Sequence, residues 1–254
     1  MTSDPIPSTA LDFTLQVERI YAALMRNAAT PSVEEPSLGG KLLYAGELSS
    51  SGRALLVAGN IAGCASLGAT ADVAAQKQAI RDGVADFLVT SLDEALRILR
   101  NEIRKRETVA VCVALAPEAV ESAMLERGVL PDLLPATALE VAESKRPAVR
   151  WRVASAPALW LPKLDAIAID CLKQNADSNT AAARRWLRLA PRYLGRLAQG
   201  LRLLRCQPAV AKEFIARVEA AVKRGEIAVE VEIARSQGEE VVCFHPPTSA
   251  VPHP

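Results

Sequence analysis

Histidine is almost absent from this 254-residue chain: His245 and His253 are the only two, and both lie in a proline-rich tail. The body of the protein therefore lacks the commonest general base and metal ligand, which excludes Ser-His-Asp, Cys-His and histidine-metal chemistry within its core. Cysteine is sparse and scattered. Cys64, Cys112, Cys171, Cys206 and Cys243 are odd in number and lack paired C-x-x-C spacing, so they read as reduced core thiols and no metal is expected. Aromatic residues make up 4% of the chain, too few to build stacking platforms for single-stranded nucleic acid. Charge of one sign is also missing, since 30 Lys and Arg stand against 29 Asp and Glu. No global field draws the chain to nucleic acid or to a membrane surface. No apolar run is long enough to cross a bilayer, and residues 1–11 lack the basic-then-apolar order of a signal peptide. The expected location is the cytoplasm.

What is present is an alternation of short β-rich runs with helical stretches. Strands are expected at 41–45, 66–69, 85–89, 109–115, 132–134 and 149–154. Helices are expected at 52–64 and 73–81, behind the capping box Ser91-Leu-Asp-Glu94, and from Pro117 to Gly128. Repeated strand-helix-strand units of this length imply parallel pairing with right-handed crossovers. The fold class is α/β: a Rossmann-like, doubly wound, mostly parallel sheet with a C-terminal helical extension and a β-hairpin. The turns Gly83-Val-Ala-Asp86 and Gly128-Val-Leu-Pro-Asp132 also suit a fragment of a β/α-barrel, so that architecture stays open.

Domain organisation follows the same pattern. An N-terminal helical arm (1–36) precedes the Rossmann-like domain (37–172), then come C-terminal helices and a hairpin (173–244) and a disordered tail (245–254). Residues 181–206 and 209–224 read as helices, with Pro191 breaking or kinking the first. The hairpin joins 228–234 to 240–244. Arg184, Arg188, Arg192 and Arg196 recur every four residues, a basic stripe that suits either a solvated face or an acidic partner.

Four segments carry a resemblance: Gly39-Gly-Lys-Leu-Leu-Tyr-Ala-Gly46, Ile61-Ala-Gly-Cys64, Leu92-Asp-Glu-Ala-Leu96 and Glu126-Arg-Gly-Val-Leu-Pro-Asp132. In content and order they resemble the central domain of urocanase (urocanate hydratase), over residues 39–137. The resemblance implies a Rossmann-like domain that holds NAD as an electrophile toward an imidazole ring. Where urocanases carry Gly-Gly-Met-Gly-Gly-Ala-Gln after the first strand, this chain has Glu47-Leu-Ser-Ser-Ser-Gly-Arg53. Where they carry Asp-Gln-Thr-Ser-Ala-His-Asp, it has Leu134-Pro-Ala-Thr-Ala-Leu139.

Candidate binding residues gather where such sheets bind ligands. Gly46, Ser49, Ser50, Ser51 and Gly52 lie between a strand and a helix N-terminus, where free N–H groups favour an anion; the same residues also make an ordinary cap. Asp72 has the spacing of a ribose-binding acid and is equally an N-cap. Thr90 and Thr137 follow the third and fifth strands. Replacing Gly52 with a bulky residue is expected to abolish anion binding at modest cost in stability. No catalytic residue is assigned. The expected function is binding of a nucleotide-like or other anionic small molecule without hydration of urocanate, in a chain that forms a homo-oligomer. Two alternatives remain: a non-enzymatic module assembled through the N-terminal and Arg-rich helices, and a divergent NAD-dependent hydratase.

Overall fold

A computed structural model of the protein describes residues 8–26, 36–135, 147–177, 179–235 and 241–247. Thr137 lies outside the described residues. The chain divides into two compact units, one within 8–144 and 189–197, the other within 145–188 and 198–254. No described helix is long and apolar enough to cross a membrane.

The first unit runs α1 (Ser8–Arg26), β1 (Leu42–Glu47), α2 (Ser50–Ala62), β2 (Ala65–Ala69), α3 (Val73–Arg81), β3 (Phe87–Val89), α4 (Leu92–Lys105), β4 (Val109–Val113) and α5 (Pro117–Glu126). All four strands are parallel, in the order β1-β2-β4-β3. The sheet is open, so the barrel is excluded. Strands β2 and β4 are buried along their whole length, which is why Ala-Ser-Leu-Gly-Ala and Val-Ala-Val-Cys-Val read as apolar runs without alternation.

Each face of this sheet has its own helices. Leu92, Ala95, Leu96 and Leu99 of α4, with Val120 and Met124 of α5, pack on Leu42, Tyr44, Leu67, Val89, Val111 and Val113. Burying a Leu or Val side chain of this kind stabilises the fold by about 1.5–3 kcal/mol before entropy is counted. On the opposite face α2 comes so close that a Cβ on Gly59 would stand 2.5 Å from Leu43 Cδ2 and 2.8 Å from Ser66 Oγ. Arg53 of α2 pairs with Asp82 at the end of α3, which puts α3 beside α2. Helix α1 covers α2 with Val17, Ile20, Tyr21 and Leu24, all buried, and so belongs to this unit.

The second unit is built on an antiparallel sheet, β6-β5-β7-β8, formed by β5 (Ala148–Val153), β6 (Arg202–Arg205), β7 (Val231–Arg235) and β8 (Val241–Phe244). Its helices are α6 (Pro157–Gln174), α7 (Thr180–Leu194) as far as Arg188, and α8 (Pro208–Lys223). Strand β5 does not join the parallel sheet as expected. Its Val149 and Trp151 are buried while Arg150 and Arg152 are partly exposed, the alternation of a half-buried antiparallel strand. The helix expected at 181–206 is also shorter. Pro191 lies inside α7, and the chain leaves helix soon after, at Gly195, Gln199 and Gly200, all with positive φ, before returning as β6. The hairpin β7–β8 forms as expected.

All three tryptophans of the chain belong to this unit. Trp151 is buried against Phe214 with ring centroids 4.8 Å apart, Trp186 donates its indole N–H to Leu203 O at 2.6 Å, and Lys163 Nζ sits 4.3 Å from the Trp160 ring. Below Trp151, Arg202 Nε donates to Asp165 Oδ2 at 3.0 Å. The Trp151 N–H faces the same carboxylate, beyond ordinary hydrogen-bond geometry. Burial pushes the Asp165 carboxyl above its usual range, and the Arg202 charge opposes that rise.

Candidate functional site

The carboxyl edge of the parallel sheet collects most of the residues singled out in the sequence. β1 leaves through a bulge, where the register with β2 shifts between Tyr44 and Gly46 and Gly46 takes φ 69°. A residue with a side chain rarely adopts that conformation. Leu48 N–H then bonds Ala69 O at 3.1 Å, tying the β1–α2 turn to the end of β2. Asp72 follows Ala69 by three residues, so the structure brings Gly46–Gly52 and Asp72 to one place.

The turn itself is tightly built. Ser49 caps α2, its hydroxyl accepting from Gly52 N–H at 3.3 Å. A Cβ on Gly52 would lie 1.9 Å from Glu47 O, so the first turn of α2 rests directly on the backbone of β1's exit. The expectation that Gly52 tolerates a bulky residue is therefore corrected. Its place at a helix end suggested freedom, whereas close backbone approach forbids any side chain. Ser50 and Ser51 are exposed, and the N–H groups of a helix's first turn have no intrahelical acceptor. Ser51 Oγ also lies 3.4 Å from Gln16 Nε2. Ser49→Ala should cost about 1 kcal/mol, the usual loss for an N-cap, read as a lowered midpoint in denaturant.

Asp72 caps α3, with Oδ1 accepting from Ala74 N–H at 2.8 Å, and its carboxylate is exposed. Both readings of this residue are physically compatible, because a capping carboxylate keeps a second oxygen. Asp72 also sits where the topology reverses. The β2–α3 connection leaves toward the α2 face and the β4–α5 connection toward the α4 face, so the ends of β2 and β4 flank the switch point, the position where open α/β sheets bind ligands. Thr90 does not join the group. It follows β3, three strand positions from β1 or about 14 Å at ordinary strand spacing, and Ser91 beside it caps α4 through Glu94 N–H at 3.3 Å.

Tyr44, Glu118 and Glu121 were not singled out in the sequence. The buried phenol donates to Glu121 Oε1 at 3.1 Å. Burial first, then Glu121, and more weakly Glu118 and Glu47, hold this hydroxyl protonated well above its ordinary range. Burial likewise raises the Cys112 thiol to about 11, with Glu47 adding to the rise. Glu47 is thus an exposed carboxylate that charges the same edge as the α2 turn. The edge offers donors at one point and acceptors at others, which suits a ligand with one anionic end and several hydroxyls. Among the described residues no group of three or more His, Cys, Asp and Glu could hold a metal ion.

Along the arginine stripe of α7 and the turn that follows it, Arg188 is engaged by an interaction of its own, while Arg184, Arg192 and Arg196 have no ion-pair partner among the described residues.

Comparison with known proteins agrees with the first unit. Residues 18–138 match the family model of the urocanase Rossmann-like domain. The match reaches back beyond the motifs into α1, in keeping with the packing of that helix on α2. No curated protein matches the chain.

Proposed function

On a urocanase Rossmann-like domain whose first strand-to-helix turn is built this way, we propose that the chain binds a nucleotide-like small molecule at its carboxyl edge and does not hydrate urocanate. The observation that carries this reading is the placing of the α2 turn, with Ser50 and Ser51 exposed, beside an exposed Asp72 at the topological switch point. The first turn of a helix attracts a phosphate, and a carboxylate at Asp72's position accepts from ribose hydroxyls. NAD, the cofactor of the family's hydratase, fits only in part. One phosphate has a donor set, but the exposed Glu47 opposes a second, and the glycines that would admit a pyrophosphate are replaced. A mononucleotide end suits the residues better.

Two measurements test this. Denaturing the pure protein and examining the supernatant by absorbance and mass spectrometry should release a phosphate-bearing compound, or, for protein that purifies empty, titration with AMP should show saturable binding. Ser50→Asp should abolish that binding while leaving the fold intact, because a carboxylate in a first helical turn stabilises the helix by about 0.3–1 kcal/mol yet repels a phosphate. Absence of any bound or bindable nucleotide, or unchanged affinity in folded Ser50→Asp, would sink the reading. Urocanate incubated with the protein should keep its absorbance, since the segment that handles imidazole in the family is replaced at 134–139. Loss of absorbance at an enzymatic rate would restore the hydratase alternative.

A further inference from the structure

The two edges of the parallel sheet are finished differently. At β1 the edge is closed by residues 132–134: Leu43 bridges Leu133, Asp132 accepts from Leu42 N–H at 2.8 Å, and Lys41 pairs with Asp132 at 2.9 Å. At β3 nothing among the described residues pairs with the outer edge. Natural edge strands are commonly guarded by lysine, proline or a bulge. β3 has none of these, and instead exposes Phe87 (48%) and Leu88 (41%). Beside it α3 exposes Val73 and Ile80.

The register says which backbone groups are open. Val89 O accepts from Ala114 N–H at 2.8 Å, so Val89 turns its polar groups to β4, and by strand alternation Leu88 turns its N–H and C=O outward. Phe87 and Val89 share the α4 face and Leu88 takes the other.

We propose that this edge is a homodimer interface, formed by antiparallel pairing of β3 with β3 of a second copy about a two-fold axis at Leu88. The two Leu88 residues then exchange both hydrogen bonds, and the two four-stranded sheets become one of eight. The register is self-compatible. Phe87 falls opposite the partner's Val89, an aromatic to β-branched pair, and Asp86 falls opposite the partner's Thr90, so no like charges face each other. The same axis runs the two α4 helices antiparallel. Their first turn carries Asp93 and Glu94 and their last turn Arg104 and Lys105, so acidic ends approach basic ends. A second copy is the occupant that satisfies pairing, apolar cover and charge together.

Sedimentation of the full chain at micromolar concentration should give a dimer. Leu88→Lys, at a position exposed enough to spare the fold, should raise the dimer dissociation constant at least about a hundredfold by setting two ammonium groups across the axis. In a Cys243→Ser background, which removes the exposed native thiol, Leu88→Cys should crosslink on mild oxidation. Hydrogen-bonded antiparallel partners stand about 5.5 Å apart at Cα, within the range a disulfide spans. A Leu130→Cys control, exposed at the other end of the sheet, should stay uncrosslinked. A monomer at high micromolar concentration, a Leu88→Lys dimer of undiminished affinity, or failure of Leu88→Cys to crosslink would each overturn the proposal.

Discussion

Gly52→Val should prevent the parallel-sheet unit from folding, or destabilise it by at least about 3 kcal/mol, a cost at the upper end of overpacking. The added Cβ would stand 1.9 Å from Glu47 O and 2.9 Å from the carbonyl carbon, both backbone atoms that cannot rotate away. Relief requires α2 to lift from the end of β1. That movement would break the Ser49 cap and disturb the contact of Gly59 with Leu43. Even Gly52→Ala should show most of the effect, because the first carbon makes the clash. Denaturant midpoints for the two variants test this, and a valine variant as stable as the parent would show that the turn relaxes freely.

The second large effect is expected in the antiparallel unit. Arg202→Met should cost about 3–5 kcal/mol, the usual consequence of stranding a buried carboxylate without its partner. Asp165 is buried, Arg202 is its charge partner, and the nearby Trp151 N–H supplies at most one weak donor. Removing both charges with Arg202→Met/Asp165→Leu should recover much of the loss, since the desolvation cost disappears with the pair. The carboxyl's raised pKa fixes the pH dependence. With the folded value above the unfolded one, its contribution is fully present below the unfolded pKa and is lost as pH rises through the folded value. Arg202→Met removes the main influence that lowers this pKa, so its destabilisation should grow from acid toward neutral pH. A loss that is constant across that range would mean Asp165 stays paired with something else.

Local chemistry was the part of the fold the sequence made legible. Helix α3 is read at Val73–Arg81 because Asp72 caps its start and Gly83, at φ 70°, follows its end. β5 was assigned to the wrong sheet, although its alternation of Val149 and Trp151 with Arg150 and Arg152 carried the antiparallel signal. What identifies its partners is pairing with β6 and β7, far along the chain, and that has no local signature. The candidate site divides in the same way. Ser49, Asp72 and Ser91 are caps, a role their residue types announce. The separation of Thr90 from the α2 turn follows from strand order, which spacing does not encode. The Tyr44 to Glu121 hydrogen bond joins residues 77 positions apart and left no trace in either segment. Gly52 was singled out as room for an approaching anion, whereas the space it leaves is taken by the chain's own backbone at Glu47.

The placement of the tryptophans has an optical consequence. Trp151, Trp160 and Trp186 all belong to the antiparallel unit, and residues 18–138, which match the urocanase Rossmann-like domain, hold none. Emission excited at the red edge of the indole band therefore reports on one unit alone. As Trp151 and Trp186 are buried, its unfolding should shift that emission to longer wavelength. The unit that holds the parallel sheet must be followed by helical circular dichroism or through Tyr21 and Tyr44. A fluorescence melt of this protein describes half of it.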